Sequence, residues 1–289
     1  MTFNNIIGEI EKIDPEVFDR LNTRRTAMKG FRNWSGKLAL AAVPLAIGSM
    51  FNKAYAGATS TKEAVIEVLK YALVLEYLEA AFYVKGLAET AIPAGAARTA
   101  IQTISNHETA HVAFLKGAIT SMSVTPANPP TFDFTARGAF PTVFSDYNTF
   151  LAVAQTFEDT GVRAYKGQAG RLINNNDVLT AALQIHSVEA RHAAKIRYMR
   201  RMLAPTNLVP AGTTLQPWIT LAQSGIATGN AGADAAIQKS YAGEEVVTQA
   251  TVGITGINGQ AVAANEASEA FDEPLTKAQI LDIVDPFIR

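Results

Sequence analysis

The sequence predicts an all-α protein: a four-helix bundle with one long crossover between its second and third helices, followed by a C-terminal helical extension. Three observations predict this fold. Apolar residues recur at helical spacing in four long segments, the connections between these segments are short, long and short, and the second and fourth segments each carry a Glu-x-x-His motif. Short connections make antiparallel neighbours, whereas the long one crosses the bundle from end to end.

The first 56 residues are predicted to form a separate module. Arg24, Arg25 and Lys29 precede an apolar run of about 14 residues at 38–51, and a small-x-small site follows at Ala54–Ala56. This order is typical of an export signal, and the paired arginines resemble a twin-arginine signal, which directs folded proteins to the periplasm. The alternative interpretation is an amphipathic helix that docks on the rest of the protein. If the export signal is correct, the mature chain begins near residue 57 and has no stable membrane span.

The first two helices of the bundle are predicted from their caps and breakers. Ser60 and Glu63 have the spacing of a capping box, so we expect the first helix to begin there and to continue to about Thr90. It ends before the Pro-Ala-Gly sequence at 93–95. The second helix is predicted over 96–122.

The crossover and the last two helices follow. Three prolines and a glycine between residues 124 and 141 predict an irregular connection. The third helix is predicted over 144–173, and the fourth runs from the polar turn at 174–177 to about Leu203, ahead of Pro205. The bundle therefore occupies 57–204.

The C-terminal part, 205–289, is richer in Gly, Ala, Thr and Asn. Short helices are predicted at 218–223 and 234–248, a glycine-broken segment at 250–265, and a final helix at 276–284 that Thr276 and Gln279 would cap. We expect this extension to pack on the bundle or to form a subunit interface.

Composition limits the classes of function. Of the 289 residues, 48% are apolar, which is enough for a sizeable core. The formal net charge of −1 gives no basic surface for nucleic acid. The absence of cysteine excludes disulfides, iron–sulfur clusters and thiolate sites, so any bound metal has nitrogen and oxygen ligands, as iron, manganese and zinc accept.

Two motifs predict such ligands. Glu108 and His111 lie three positions apart in the second helix, and Glu189 and His192 in the fourth. Residues i and i+3 lie on the same side of a helix, so each pair presents a carboxylate and an imidazole together. One such pair often arises by chance, but two on alternate helices favour a metal site.

The first and third helices supply two further carboxylates. Glu76 and Glu158 each lie in an apolar stretch, where an unpaired carboxylate would be costly and a bound cation would compensate for it. Tyr83 and Tyr165 each follow seven residues later on the same face. We assign these tyrosines a supporting catalytic role as hydrogen-bond donors to ligand carboxylates. Alternatively, they are core aromatics.

The two halves of the bundle repeat. Glu76 and Glu108 are 32 positions apart, and Glu158 and Glu189 are 31. Two such helix pairs can pack about a pseudo-twofold axis and bring six ligands together around two divalent ions. The ions are predicted to be iron or manganese, with zinc as a substitute.

Four neighbouring polar residues leave alternatives open. Glu79, one turn after Glu76, competes with it as the ligand from the first helix. His107 and His186 are out of register and are expected to hydrogen-bond a ligand or to lie at the surface. Asp159 points about 100° away from Glu158 and is expected in solvent or in contact with a ligand.

The segment 72–83, ALVLEYLEAAFY, resembles the first helix of bacterial ferritin-like domain proteins of the group called desiccation-related. Both Glu-x-x-His helices match this group, over about 59–203, and weaker similarity appears at 271–275 and 283–287. The resemblance implies a ferritin-like four-helix bundle whose six metal ligands are the glutamates and histidines named above. Storage ferritins are shorter and lack the extension, which argues against a mineral-storing cage.

These predictions support two hypotheses of function. In the first, the metal pair reacts with dioxygen or hydrogen peroxide, as a ferroxidase with iron or a catalase-like enzyme with manganese. In the second, the protein is a non-catalytic, metal-binding and stress-protective structural protein, since metal binding contributes folding free energy. We expect no nucleic-acid partner and allow for a homo-oligomer.

Overall fold

A computed structural model describes residues 61–203 and 208–289 of the protein. Four long helices form a bundle: α1 (Lys62–Ala88), α2 (Ala96–Ser121), α3 (Tyr147–Ala169) and α4 (Asn176–Leu203). α1 packs mainly on α2, and α3 on α4. The predicted all-α bundle with one long crossover is confirmed, and the predicted export signal at 1–56 lies outside the described residues.

The helix starts differ slightly from those predicted. Thr61 caps α1, its hydroxyl accepting a hydrogen bond of 3.2 Å from the backbone N–H of Ala64, one residue after the predicted Ser60, which lies outside the described residues. α3 starts at residue 147 rather than 144, because the Asp146 carboxylate caps it by accepting from the N–H of Thr149 at 2.7 Å. A 3₁₀ turn, Gly170–Leu172, replaces the last predicted residues of α3.

The C-terminus holds the long crossover in place. The N–H of Asp133 donates to the carbonyl of Phe287 at 2.8 Å, and the N–H of Arg289 donates to the carbonyl of Thr131 at 2.9 Å. The Arg289 guanidinium also pairs with the Asp133 carboxylate at 2.7 Å. These bonds satisfy backbone groups that an irregular connection would otherwise leave without partners.

The extension contains short elements, namely α5 (Ala231–Gln238), β1 (Thr248–Gln249), β2 (Val252–Gly253), α6 (Ala264–Ser268) and α7 (Lys277–Val284), with 3₁₀ turns at Ile254–Gly259 and Asp285–Phe287. The predicted helix at 218–223 is wrong, since Leu221 has a left-handed φ of 50° inside a turn. The helix predicted over 234–248 ends at Gln238, and Gly243 beyond it has a φ of 93°. Thr276 and Gln279 form the predicted capping box of α7.

The extension packs on the second half of the bundle. Tyr241, Ile280 and Phe287 belong to the same buried apolar cluster as Phe157 of α3. Phe287 stands edge-on to Phe157, with ring centroids 4.8 Å apart. α3 is therefore buried on nearly all sides. Among the described residues, no helix is both long and apolar enough to cross a membrane.

Candidate metal centre

The middle of the bundle brings together the six side chains predicted as metal ligands. They fall into two groups of four, and within each group one ligand atom per residue lies within 4.8 Å of the others. The groups are Glu76, Glu108, His111 and Glu189, and Glu108, Glu158, Glu189 and His192. Glu108 and Glu189 belong to both, so each of these carboxylates could contribute to two adjacent cation positions. The role of the six residues as ligands stays a prediction.

Apolar packing turns these ligands inward. In α2, Ile104 lies four positions before Glu108 and Leu115 lies four positions after His111, and all four side chains are buried. α4 repeats this arrangement, with a buried isoleucine four positions before its glutamate and another four after its histidine. Because residues four positions apart share a helix face, burial of the apolar side chains also buries the ligands.

Both imidazoles point their Nδ1 atoms at carboxylates. Nδ1 of His111 lies 3.0 Å from Glu189 Oε1, 3.1 Å from Glu108 Oε2 and 3.2 Å from Glu76 Oε2. Nδ1 of His192 lies 2.7 Å from Glu108 Oε1. Nδ1 is therefore the nitrogen that each ring would offer to a cation in the centre.

Among the residues that the structure describes, five buried side-chain atoms of this centre have no partner in hydrogen-bonding geometry, although other polar atoms are close. They are Glu108 Oε1, Glu158 Oε2, both carboxylate oxygens of Glu189, and His192 Nδ1. Leaving such an atom unsatisfied costs roughly 1–3 kcal/mol, and more when it is charged. Four carboxylates balance the charge of two divalent cations, and carboxylate with imidazole suits iron or manganese. The residues present fit a pair of divalent cations.

The ferritin-like domain family matches residues 64–201, which include all six of these residues. The chain contains a ferritin-like domain. No match was found among the curated proteins. The family predicted from the sequence is thus confirmed, whereas membership of the desiccation-related group stays a prediction.

Burial and mutual repulsion set the electrostatics of the ferritin-like centre. Burial raises the pKa of Glu76 to about 7, and it raises the pKa of Glu189 well above the usual range, helped by the charges of Glu108 and Glu76. For Glu108, burial raises the pKa, but the close contacts with His111 and His192 outweigh burial and lower the pKa to about 2.

Glu79 is a fifth buried glutamate of the domain. It belongs to neither group of four. The glutamates of both groups are all predicted as ligands from the sequence. A Cβ atom at Gly161 would lie 3.1 Å from Glu79 Oε1 and 3.3 Å from Glu189 Oε2, so both carboxylates fill the space beside this glycine. Burial, and then the charge of Glu189, raise the pKa of Glu79 well above its usual range. Of the two candidates on α1, the geometry favours Glu76.

The two tyrosines donate hydrogen bonds across the bundle. The Tyr83 hydroxyl donates to Glu158 Oε1, and the Tyr165 hydroxyl donates to Glu76 Oε1. Each tyrosine thus contacts the glutamate of the other helix, and this reciprocal pairing requires α1 and α3 to run antiparallel. Burial raises the pKa of both phenols well above the usual range, which keeps them protonated as donors.

The remaining histidines lie outside the two groups of ligands. His107 is exposed, and its Nδ1 lies 2.9 Å from Nε2 of His192, as expected for a residue that contacts a ligand. His186 donates from Nδ1 to the carbonyl of Val162 at 3.0 Å.

The expectation for Asp159 is wrong. Asp159 is buried and contacts neither solvent nor a member of the centre: its Oδ1 accepts from Arg197 Nε at 3.0 Å, and its Oδ2 accepts from the Tyr241 hydroxyl at 2.7 Å. Its position 100° around α3 points it at α4 and the extension, which supply these two partners.

Sequence reasoning also missed a second buried ion pair behind the ferritin-like centre. Arg163 of α3 is almost fully buried, and its Nε lies 2.6 Å from Glu244 Oε1 in the extension. Its guanidinium also donates to the carbonyls of Ser240 and Ala242. An arginine inside the apolar stretch of α3 signals a buried partner, but the partner lies some 80 residues away and no local pattern identifies it.

Proposed function

We propose that the ferritin-like domain binds two divalent metal ions, iron or manganese, and uses them to reduce dioxygen or hydrogen peroxide. When bound, such a metal pair supplies two electrons together. The observation that carries the proposal is the pair of four-residue groups that share Glu108 and Glu189, with buried ligand atoms that lack hydrogen-bond partners. Two shared carboxylates favour two adjacent metal ions over one.

The tyrosines select which carboxylate oxygen faces the metal. Tyr165 occupies Oε1 of Glu76, which leaves Oε2, 3.2 Å from Nδ1 of His111, on the side of the centre. Tyr83 occupies Oε1 of Glu158, which leaves the unpartnered Oε2 on that side. Fixing one oxygen in this way orients the terminal ligands before a metal ion arrives.

The fold keeps the centre dry. The carboxylates of Glu76, Glu108, Glu158 and Glu189 are completely inaccessible to solvent, and only the imidazole edges show partial exposure. Exclusion of water strengthens the attraction between carboxylates and a cation. Reaction of a bound metal pair with an oxidant would therefore take place in a site of low dielectric.

The second candidate function is non-catalytic. Burial of four carboxylates around one centre destabilises the metal-free fold, so metal binding would itself stabilise the protein. A stress-protective role would then follow from a metal-dependent stability, as we expect for a member of the desiccation-related group. We further propose export to the periplasm, with removal of residues 1–56, and allow for assembly as a homo-oligomer.

The first experiment counts the metal ions. Elemental analysis of protein from its native host is expected to give two iron or manganese ions per chain. Glu108→Gln or Glu189→Gln should lose both ions, because each residue serves both positions, whereas Glu76→Gln or Glu158→Gln should lose one. Glu67→Gln, an exposed glutamate on α1 paired with Lys70, is the matched control and should keep both.

The second experiment distinguishes the two functions. Iron-loaded protein is mixed with dioxygen in the presence of excess iron(II), which supplies the electrons for each turnover. Manganese-loaded protein is mixed with hydrogen peroxide, which serves as both oxidant and reductant. Consumption of dioxygen or peroxide is followed over several turnovers. Repeated turnover that Glu108→Gln abolishes supports the enzyme. Two bound ions that raise the thermal midpoint but consume no oxidant would leave the stabilising role and contradict the redox role.

A further inference from the structure

His107 connects one ligand imidazole to the surface. Its ring is exposed, and its Nδ1 lies 2.9 Å from Nε2 of His192. The two rings are nearly parallel, with 15° between their planes and 5.2 Å between their centroids. A hydrogen bond and a ring contact therefore both act on the outer side of His192.

The direction of this hydrogen bond follows from the inner side of His192. Its Nδ1 lies 2.7 Å from Glu108 Oε1 and 3.3 Å from Glu158 Oε2, so this nitrogen must be free of its proton when a cation is bound. The imidazole proton then sits on Nε2 and is donated to Nδ1 of His107. His107 in turn carries its own proton on the other nitrogen. One tautomer of each ring satisfies both contacts.

The other half of the bundle lacks this support. His107 immediately precedes Glu108, and the corresponding residue before Glu189 is Val188, which has no hydrogen-bonding side chain. Among the residues that the structure describes, Nε2 of His111 has no hydrogen-bond partner, since the contacts of this ring are all made by Nδ1. The ligands themselves follow the pseudo-twofold symmetry, but the residues that contact them do not.

We propose that His107 is a positioning residue that holds His192 and makes the position formed by Glu108, Glu158, Glu189 and His192 the tighter of the two metal positions. The inference rests on the proposed metal pair and adds an order of filling to it. A hydrogen-bond acceptor on the outer nitrogen orients a metal-binding histidine and increases its basicity, and its loss typically weakens metal binding 10–100-fold. No described residue accepts a proton from Nε2 of His111.

The test uses cobalt(II) as the probe, added to the metal-free full chain, because its visible spectrum reports coordination and its titration gives the affinity of each equivalent. Wild type is expected to bind a tighter and a weaker equivalent. Two backgrounds separate them: Glu76→Gln keeps the His192 position, and Glu158→Gln keeps the His111 position. His107→Phe, which retains a flat ring without an acceptor, should weaken cobalt binding about 10–100-fold in the first background and leave the second unchanged.

Two further variants separate the hydrogen bond from the ring contact and from general effects. His107→Asn places a carbonyl oxygen near the position of Nδ1 and should restore most of the lost affinity and the wild-type spectrum. His186→Phe removes a histidine that bonds only a backbone carbonyl and should change neither cobalt equivalent. Because His107 is exposed, the unfolding midpoint of the metal-free chain should be the same in all His107 variants.

The outcomes distinguish the role of His107, the order of filling and the proposed function. Unchanged binding in the His107→Phe variant, an equal loss in both backgrounds, or a failure of His107→Asn to restore affinity overturns the role of His107, while two bound ions in wild type keep the proposed function. Absence of cobalt binding in wild type overturns both. A wild-type titration whose two equivalents are equal in affinity overturns the order of filling.

Discussion

Glu158 and Asp159 are neighbours in α3, and both are buried, yet they belong to two regions that differ in how the carboxylate charge is balanced. Glu158 faces the cluster of carboxylates and imidazoles, where no described residue hydrogen-bonds its Oε2. Asp159 faces α4 and the extension, where Arg197 and Tyr241 satisfy both of its oxygens. One helix therefore carries an incomplete polar cluster on one face and a complete polar network on another.

The difference shows how to separate a site from a scaffold. A buried carboxylate that an arginine satisfies is structural, because the pair is neutral and its hydrogen bonds are made within the protein. A buried carboxylate that faces other carboxylates carries an unbalanced charge, which protons or a cation must neutralise. Burial is the same in both regions, so only the partners distinguish them.

The largest effect is expected in the complete network. Asp159→Ala would leave the guanidinium of Arg197 buried without a counter-charge and should lower the free energy of unfolding by about 3–5 kcal/mol in urea titrations. The double variant Asp159→Leu with Arg197→Met removes both charges and should recover most of that loss. A single variant as stable as wild type would contradict the structural role of the pair.

The incomplete cluster should show a pH dependence. The folded-state pKa of Glu76 is raised to about 7 from 4.5, so its contribution to stability is full below pH 4.5 and is lost as pH rises to about 7. Glu76 by itself should therefore cost the metal-free protein on the order of 3 kcal/mol of unfolding free energy between pH 4.5 and 7. Saturating manganese should remove this loss, because the cation replaces the proton.

The control for the pH dependence is Glu76→Gln, which cannot titrate at this position. Its metal-free unfolding free energy should vary less with pH than that of wild type over the same range. An equal pH dependence in both proteins would place the titrating group elsewhere.

A smaller effect of the opposite sign is expected at Glu158. Glu158→Gln removes one charge from the crowded centre and should raise the unfolding free energy of the metal-free protein at pH 8 by about 1–2 kcal/mol, a fraction of the roughly 4 kcal/mol that two like charges about 4 Å apart cost at an effective dielectric constant of about 20. Urea titrations with a chelator would measure it. A destabilised variant would mean that the contacts of Glu158 with Tyr83 and His192 outweigh the repulsion.

The smallest stability change is expected at Gly161, where α3 passes the centre. Gly161→Ala places a methyl group 3.1 Å from Glu79 Oε1 and 3.3 Å from Glu189 Oε2, so it should weaken metal binding several-fold while the metal-free stability changes by less than about 1 kcal/mol. Gly170→Ala is the control, since a Cβ there meets no atom within 4 Å and its φ of −61° suits alanine. Equal metal affinities in both variants would contradict the conclusion that a methyl group at position 161 displaces the carboxylates beside it.

The sequence predicted the four long helices to within a few residues, because helix periodicity and capping are local properties. It also predicted which six side chains meet, since nearly equal ligand spacing in the two halves favours one packing arrangement. It failed at 218–223, where apolar composition suggested a helix but the chain turns through a left-handed Leu221. It failed for Asp159, because the direction in which a side chain leaves its helix does not reveal which residues of other elements it contacts.

The sequence by itself determined the four long helices, the all-α class, the ferritin-like domain and the set of residues at its centre. These follow from patterns along the chain. Apolar residues recur every three to four positions in a helix, and the ligand residues recur once in each half of the bundle. Only the tertiary structure decided the partners: Tyr83 with Glu158, Tyr165 with Glu76, His107 with His192, and Asp159 with Arg197 and Tyr241. The physical reason is that such contacts join atoms distant in sequence, and the energy of a buried charge depends on these neighbours rather than on its own position in the chain.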